Sequence, residues 1–102
     1  MKKLNKNQLT NLFNKGTNEL NSGNPLKAIE CYKKILGIKE NNEIVLNNLA
    51  YAYFITGDYI NSEKLILKAI KINKNNPNFY YNLGNLYKRI SRLNDAIKNY
   101  DM

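Results

Sequence analysis

The chain has 102 residues, 16 of them Lys or Arg against 8 Asp or Glu, for a net charge of +8. That length suits one small domain and excludes a typical two-domain enzyme. The absence of His and the single Cys exclude His-based acid–base relays, His-ligated metals and any disulfide within the chain. At 43% hydrophobic and 24% charged residues, the composition is that of a chain that buries a core. No apolar run approaches the roughly 20 residues of a spanning helix, and Met1-Lys2-Lys3-Leu4 has the charge of a signal peptide without its apolar stretch. These features predict a soluble, cytoplasmic protein with no catalytic residues, metal or cofactor. The 20 Asn and 14 Lys are spread evenly, so any one of them must be weighed against that background.

Residues 1–8 read as a basic tail or the start of a helix. Behind them the sequence repeats with a period of 34 residues and no gap: Asn11-Leu12-Phe13-Asn14-Lys15-Gly16, Val45-Leu46-Asn47-Asn48-Leu49-Ala50 and Phe79-Tyr80-Tyr81-Asn82-Leu83-Gly84 fall into register. The units are 9–42, 43–76 and 77–102. Apolar spacing inside each unit is helical, as in Leu46, Leu49, Ala50 and Tyr53, and a second helix follows the first. Gly23 and Gly57 suit the left-handed residue that ends a helix, with Asn24 and Asp58 as caps for the next. Pro25 and Pro77 stand at first helical positions. In the third unit Ser91-Arg92-Leu93 replaces the Gly and its cap, which predicts a looser turn there. Gly16, Ala50 and Gly84 form one small-residue column, and Ala28, Ser62 and Ala96 another, where paired helices approach closely.

Together these columns resemble the tetratricopeptide repeat, a 34-residue helix-turn-helix. The third unit fits best, through Tyr80, Leu83, Gly84, Tyr87, Ala96 and Tyr100. In the second, Lys74 stands where the family usually has Pro; in the first, Lys15 and Glu19 occupy usually apolar columns. The resemblance implies an all-α, right-handed α-solenoid of antiparallel helix pairs, whose first helices line a concave groove that binds peptides or partner proteins without catalysis.

By family geometry the concave positions are Thr10, Phe13, Asn14, Thr17, Leu20 and Asn21, then Ile44, Asn47, Asn48, Tyr51, Phe54 and Ile55, then Asn78, Tyr81, Asn82, Asn85, Lys88 and Arg89. The co-chaperone branch of the family grips a C-terminal carboxylate with Lys, Asn and Arg at columns held here by Phe13, Thr17, Asn48, Asn78 and Asn82. Only Asn48 agrees, so no such clamp is expected. The column Asn14, Asn48 and Asn82 offers an amide ladder to the backbone of an extended ligand, or else a set of packing amides. Phe13, Tyr51, Phe54, Ile55 and Tyr81 read either as apolar pockets between the rungs or as core.

Half of the 14 Lys residues, Lys27, Lys33, Lys34, Lys64, Lys68, Lys71 and Lys98, fall on second helices, whose outer side forms the convex back, and the rest lie mostly in turns and the N-terminal tail, which argues against nucleic-acid binding. Lys88, Arg89 and Arg92 cluster near the end of a first helix and suit an acidic partner. Cys31, with no His to activate it, reads as a packing thiol. The last helix has no polar cap behind it, so Ile97 and Tyr100 are candidates for self-association or for contact with a longer parent chain. The reading is a protein-interaction module; the alternatives are a polyanion binder and a self-associating unit.

Overall fold

The computed structural model describes the backbone of residues 3–100 and the side-chain surroundings of residues 3–94. It contains five helices: α1 Lys6–Asn21, α2 Pro25–Leu36, α3 Glu43–Thr56, α4 Tyr59–Ile72 and α5 Pro77–Tyr100. Each packs mainly against its neighbours in the chain, and α3 also touches α1 on one side and α5 on the other. The result is an α-solenoid in which α1, α3 and α5 form one layer and α2 and α4 the other. Its radius of gyration is 15.2 Å, against the roughly 13 Å of a globular domain of this length.

Local chemistry sets the helix ends. Asn5 and Gln8 close a capping box at α1: Asn5 Oδ1 accepts from the Gln8 N–H and Gln8 Oε1 from the Asn5 N–H, both at 2.8 Å. Gly23 and Gly57 have φ of +85° and +88°. The residues after them, Asn24 and Asp58, donate back to Glu19 O at 2.8 Å and Tyr53 O at 2.9 Å, which satisfies carbonyls at the ends of α1 and α3. Pro25 and Pro77 open α2 and α5, where a missing N–H costs nothing. Asp58 Oδ1 accepts from the Asn61 N–H, whereas the Asn24 side chain makes no capping bond.

The core is three linked clusters strung along the solenoid. Tyr32, Ala28 and Ile35 of α2 meet Val45 and Leu49 of α3; Leu46 meets Ala69 of α4 and Phe79 of α5; Ala50 meets Ile66 and Leu86. Ala28, Ala50 and Ser62 are completely buried, as close helix approach requires. Ser62 Oγ satisfies itself on the Ala50 carbonyl at 2.8 Å.

The turn expected at Ser91-Arg92-Leu93 does not form. α5 runs through it as one 24-residue helix, because no Gly or Pro stands between Asn85 and Asn94 to end it, in contrast to Gly23 and Gly57. Apolar residues at Phe79, Leu83, Leu86, Ile90 and Leu93 keep alternating three- and four-residue spacing across the expected break, so the pattern favours continuation. The close approach expected at Gly84 is also absent among the described residues: a β-carbon there would meet none of their atoms within 4 Å. Ala96, Ile97, Lys98 and Tyr100 lie outside the residues whose side chains are described.

Candidate peptide-binding groove

The positions expected on the concave face, on α1, α3 and α5, fall into two groups in the structure. The first is spent on packing. Tyr32 is fully buried, its hydroxyl 2.9 Å from Thr17 Oγ1, and Phe13 tilts on its ring at a centroid distance of 6.1 Å. Burial raises the Tyr32 phenol above the ordinary tyrosine value, and hydrogen bonds from Thr17 and Asn48 partly oppose that rise. Phe13, Thr17 and Asn48 therefore support the first core while keeping part of their surface on the groove.

The Asn column is not uniform. Asn14 is exposed on α1, and Asn48 is half-buried beside Tyr32. Asn82 donates from Nδ2 to Asn47 Oδ1 at 3.0 Å, a bond between α5 and α3 that uses part of its amide. Asn47 itself is only 8% exposed. Asn47, a concave position in the repeat register, is instead buried at the α3–α5 contact; its adjacency to the apolar column of Leu46 and Leu49 is the sequence signal for that burial.

The second group is open. Tyr51 stacks on Phe54 at 6.4 Å with an interplanar angle of 13°. Phe54 packs in turn on Tyr59 at 5.8 Å, and the Arg89 guanidinium from α5 lies 5.4 Å from its centroid. Tyr51, Ile55 and Tyr81 are 44%, 46% and 71% exposed, with Asn85 exposed beside them on α5. Lys88, Arg89 and Arg92 share one turn of α5, and all three are exposed. Tyr51, Phe54, Asn82 and Asn85 border a crevice of about 20 Å³, room for a water and no more.

One feature escaped the sequence reading. A hollow of about 310 Å³ opens at the start of α1, floored by Leu9, Phe13, Ile35 and Val45 and edged by Lys6, Thr10, Lys39 and Asn42. Phe13 and Thr10 of α1 line one side of it, and Lys39 and Asn42 of the α2–α3 loop the other. Cys31 is buried and free, packed at the α1–α2 contact.

Comparison with known proteins agrees with this architecture. Tetratricopeptide repeat family models match residues 9–42 and 45–76, and a further one matches residues 65–98. A TPR repeat-containing protein of Methanocaldococcus jannaschii is 34% identical over 86 residues, covering 74% of this chain and 15% of that protein. Human tetratricopeptide repeat protein 17 is 30% identical over 78 residues, covering 74% of this chain and 7% of its own length. The photosystem I assembly protein Ycf3 of a Synechococcus strain is 27% identical over 84 residues, covering 79% of this chain and 49% of its own. The chain thus spans less than half the length of each of these relatives. Among solved structures, the first TPR of Spaghetti (RPAP3) bound to the HSP90 peptide SRMEEVD superposes with a TM-score of 0.78 at 24% identity, covering 96% of this chain and 80% of that one. The NMR structure of the first TPR domain of human RPAP3 gives 0.76 at 26% identity, covering 91% and 73%. With its helix pairs, its glycine-ended turns and these matches in agreement, the chain belongs to the tetratricopeptide repeat family.

Proposed function

We propose that this protein is an interaction module that holds an extended segment of a partner protein across the concave face of α1, α3 and α5. The observation that supports this best is the aromatic surface shared by two helices, with Tyr51 stacked on Phe54 and Arg89 set over the same ring. Exposed aromatic anchors beside polar amides are what small peptide interfaces use. Asn14 and Asn85 stand free on the same face for the ligand's backbone. The reading gives the chain no catalytic role. No helix among the described residues is long and apolar enough to cross a membrane, and we place the interaction in a reducing compartment such as the cytoplasm, where Cys31 stays a thiol.

The mode differs from a carboxylate clamp. The clamp columns hold Phe13, Thr17, Asn48, Asn78 and Asn82, with no cation among them. Thr17 and Asn82 are further engaged by Tyr32 and Asn47. A C-terminal carboxylate pair would lack charge-assisted donors there.

The test is affinity capture in the presence of nuclease, comparing the wild-type chain with a Tyr51→Ala, Tyr81→Ala variant. Both residues are exposed, so helicity by circular dichroism stays unchanged. A protein captured by the wild type and lost with the variant supports the groove; equal capture by both removes it as the site. Titration with SRMEEVD peptide should give no low-micromolar binding.

A further inference from the structure

The two ends of the concave face share one chemical design. At the first, the hollow floored by Leu9, Phe13, Ile35 and Val45 is edged by Lys6 and Lys39. At the second, Tyr51 stacks on Phe54 and Arg89 is held over the Phe54 ring, with Lys88 the exposed residue before it on α5. All four cations are exposed, and no ion pair among the described residues engages any of them. The stretch between the two ends is neutral amide: Asn14, Asn48, Asn82 and Asn85. None of the concave positions is an acid.

We propose that the partner segment carries two apolar–acidic blocks. One seats an aliphatic or aromatic side chain in the hollow beside Lys6 and Lys39; the other lies on Tyr51 and Phe54 with its acid at Lys88 and Arg89. This deepens the groove reading above and rests on it. A hollow of about 310 Å³ accepts one large apolar side chain, and an adjacent carboxylate meets the ammonium groups of Lys6 and Lys39, which form no ion pair among the described residues. Arg89 stacked on Phe54 keeps its outer N–H edge free for a carboxylate.

Geometry fixes the spacing of the blocks. The two apolar seats, Phe13 on α1 and Phe54 on α3, are one helix spacing apart, roughly 10 Å. Phe54 sits seven residues further along its repeat unit than Phe13, about 10 Å of helix rise. The diagonal is about 15 Å, or some four to five residues of extended chain at about 3.3 Å each.

A single-stranded nucleic acid would also use cations and aromatic rings. It presents a phosphate at every nucleotide and needs a continuous basic track, which the amide centre does not supply. The aliphatic floor of Leu9, Ile35 and Val45 suits a side chain better than a base.

The experiment is selection of a random 16-residue peptide display library on the wild-type chain, with counter-selection on the Tyr51→Ala, Tyr81→Ala variant. The enriched peptide is then synthesised with its acids and with Asn and Gln in their place, and both are titrated by fluorescence anisotropy beside a 12-residue oligouridylate. Two apolar–acidic blocks about four to five residues apart are expected, with affinity falling about tenfold or more in the amide peptide and in Lys39→Gln or Arg89→Gln. Groove-dependent peptides that bind equally well as amides overturn the proposal while leaving the groove reading intact. If no peptide depends on Tyr51 and Tyr81, both fall. Tighter binding of the oligouridylate than of any peptide makes nucleic acid the occupant and overturns the proposal.

Discussion

Tyr32 lies against the bare backbone of Gly16: a β-carbon at residue 16 would stand 2.9 Å from Tyr32 Cε1 and 3.1 Å from Cys31 Cβ. Gly84 occupies the same column two repeats later and faces nothing within 4 Å among the described residues. The same substitution should therefore change stability in opposite directions. Gly16→Ala forces Tyr32 or α2 to shift and should cost about 1–3 kcal/mol of overpacking, less a helix-propensity gain of up to about 1 kcal/mol. Gly84→Ala keeps the gain alone and should stabilise by about 0.5–1 kcal/mol. Urea unfolding of the two variants checks this; equal destabilisation by both would mean that a helix covers Gly84.

The phenol of Tyr32 gives the fold an alkaline limit. Burial holds its pKa above the ordinary tyrosine value, against the hydrogen bonds from Thr17 and Asn48. A group whose folded pKa is raised contributes stability that is complete below its unfolded pKa, about 10 for Tyr, and is lost as pH rises through the folded value. Tyr32→Phe should cost about 1 kcal/mol at neutral pH through the lost bond to Thr17, and its stability should decline less steeply above pH 10 than that of the wild type. Tyr87 is raised as well, by its hydrogen bond to Glu63, but it is exposed and is common to both proteins. Denaturant midpoints measured from pH 8 to 11 decide it.

How far the fold was legible follows from how local its determinants are. Gly23, Gly57, Pro25 and Pro77 act within a few residues of themselves, so the ends of four helices could be placed from the sequence. The register of Gly16, Ala50 and Ser62 fixed which faces meet. Position 91 shows the limit, because the repeat register alone suggested a turn whereas the local residues Ser91 and Arg92 do not stop a helix. On the groove, the columns left Phe13, Tyr51, Phe54, Ile55 and Tyr81 open between ligand pockets and core; Phe13 packs on Tyr32, whereas Tyr51 and Tyr81 are exposed. The pairing of Asn82 with Asn47 did not follow from the columns, since it depends on how two helices 35 residues apart are rotated. The hollow beside Phe13 was hidden for the same reason: its wall joins residues of α1, α2, the α2–α3 loop and α3.

The Asn47–Asn82 bond joins α3 to α5 where both are partly screened from water. Asn82→Ala leaves the Asn47 carbonyl oxygen without this donor and should cost about 1 kcal/mol. Asn14→Ala, at an exposed site on α1, should stay within about 0.5 kcal/mol of wild type. A double-mutant cycle on residues 47 and 82 should return a coupling of about 0.5–1.5 kcal/mol. No coupling would mean that water replaces the bond freely, and Asn82 would then be as available to a ligand as Asn14.

Ser91 and Arg92 align with Gly57 and Asp58, the pair that ends α3 with a left-handed glycine and caps α4 through a bond to the Asn61 N–H. Installing that pair as Ser91→Gly, Arg92→Asp should therefore supply the missing stop signal and break α5 in two. Spin labels at Asn78→Cys and Asn99→Cys, with Cys31→Ala to remove the native thiol, report the change. In a continuous helix the two backbone positions are about 31 Å apart, at about 1.5 Å per residue. A hairpin folded back at residue 91 would bring them to within about 10–15 Å. The wild type should give the long distance and the variant the short one. A short distance already present in the wild type would show that the third unit folds as a pair without a glycine, and that the segment after Arg92 packs on Gly84.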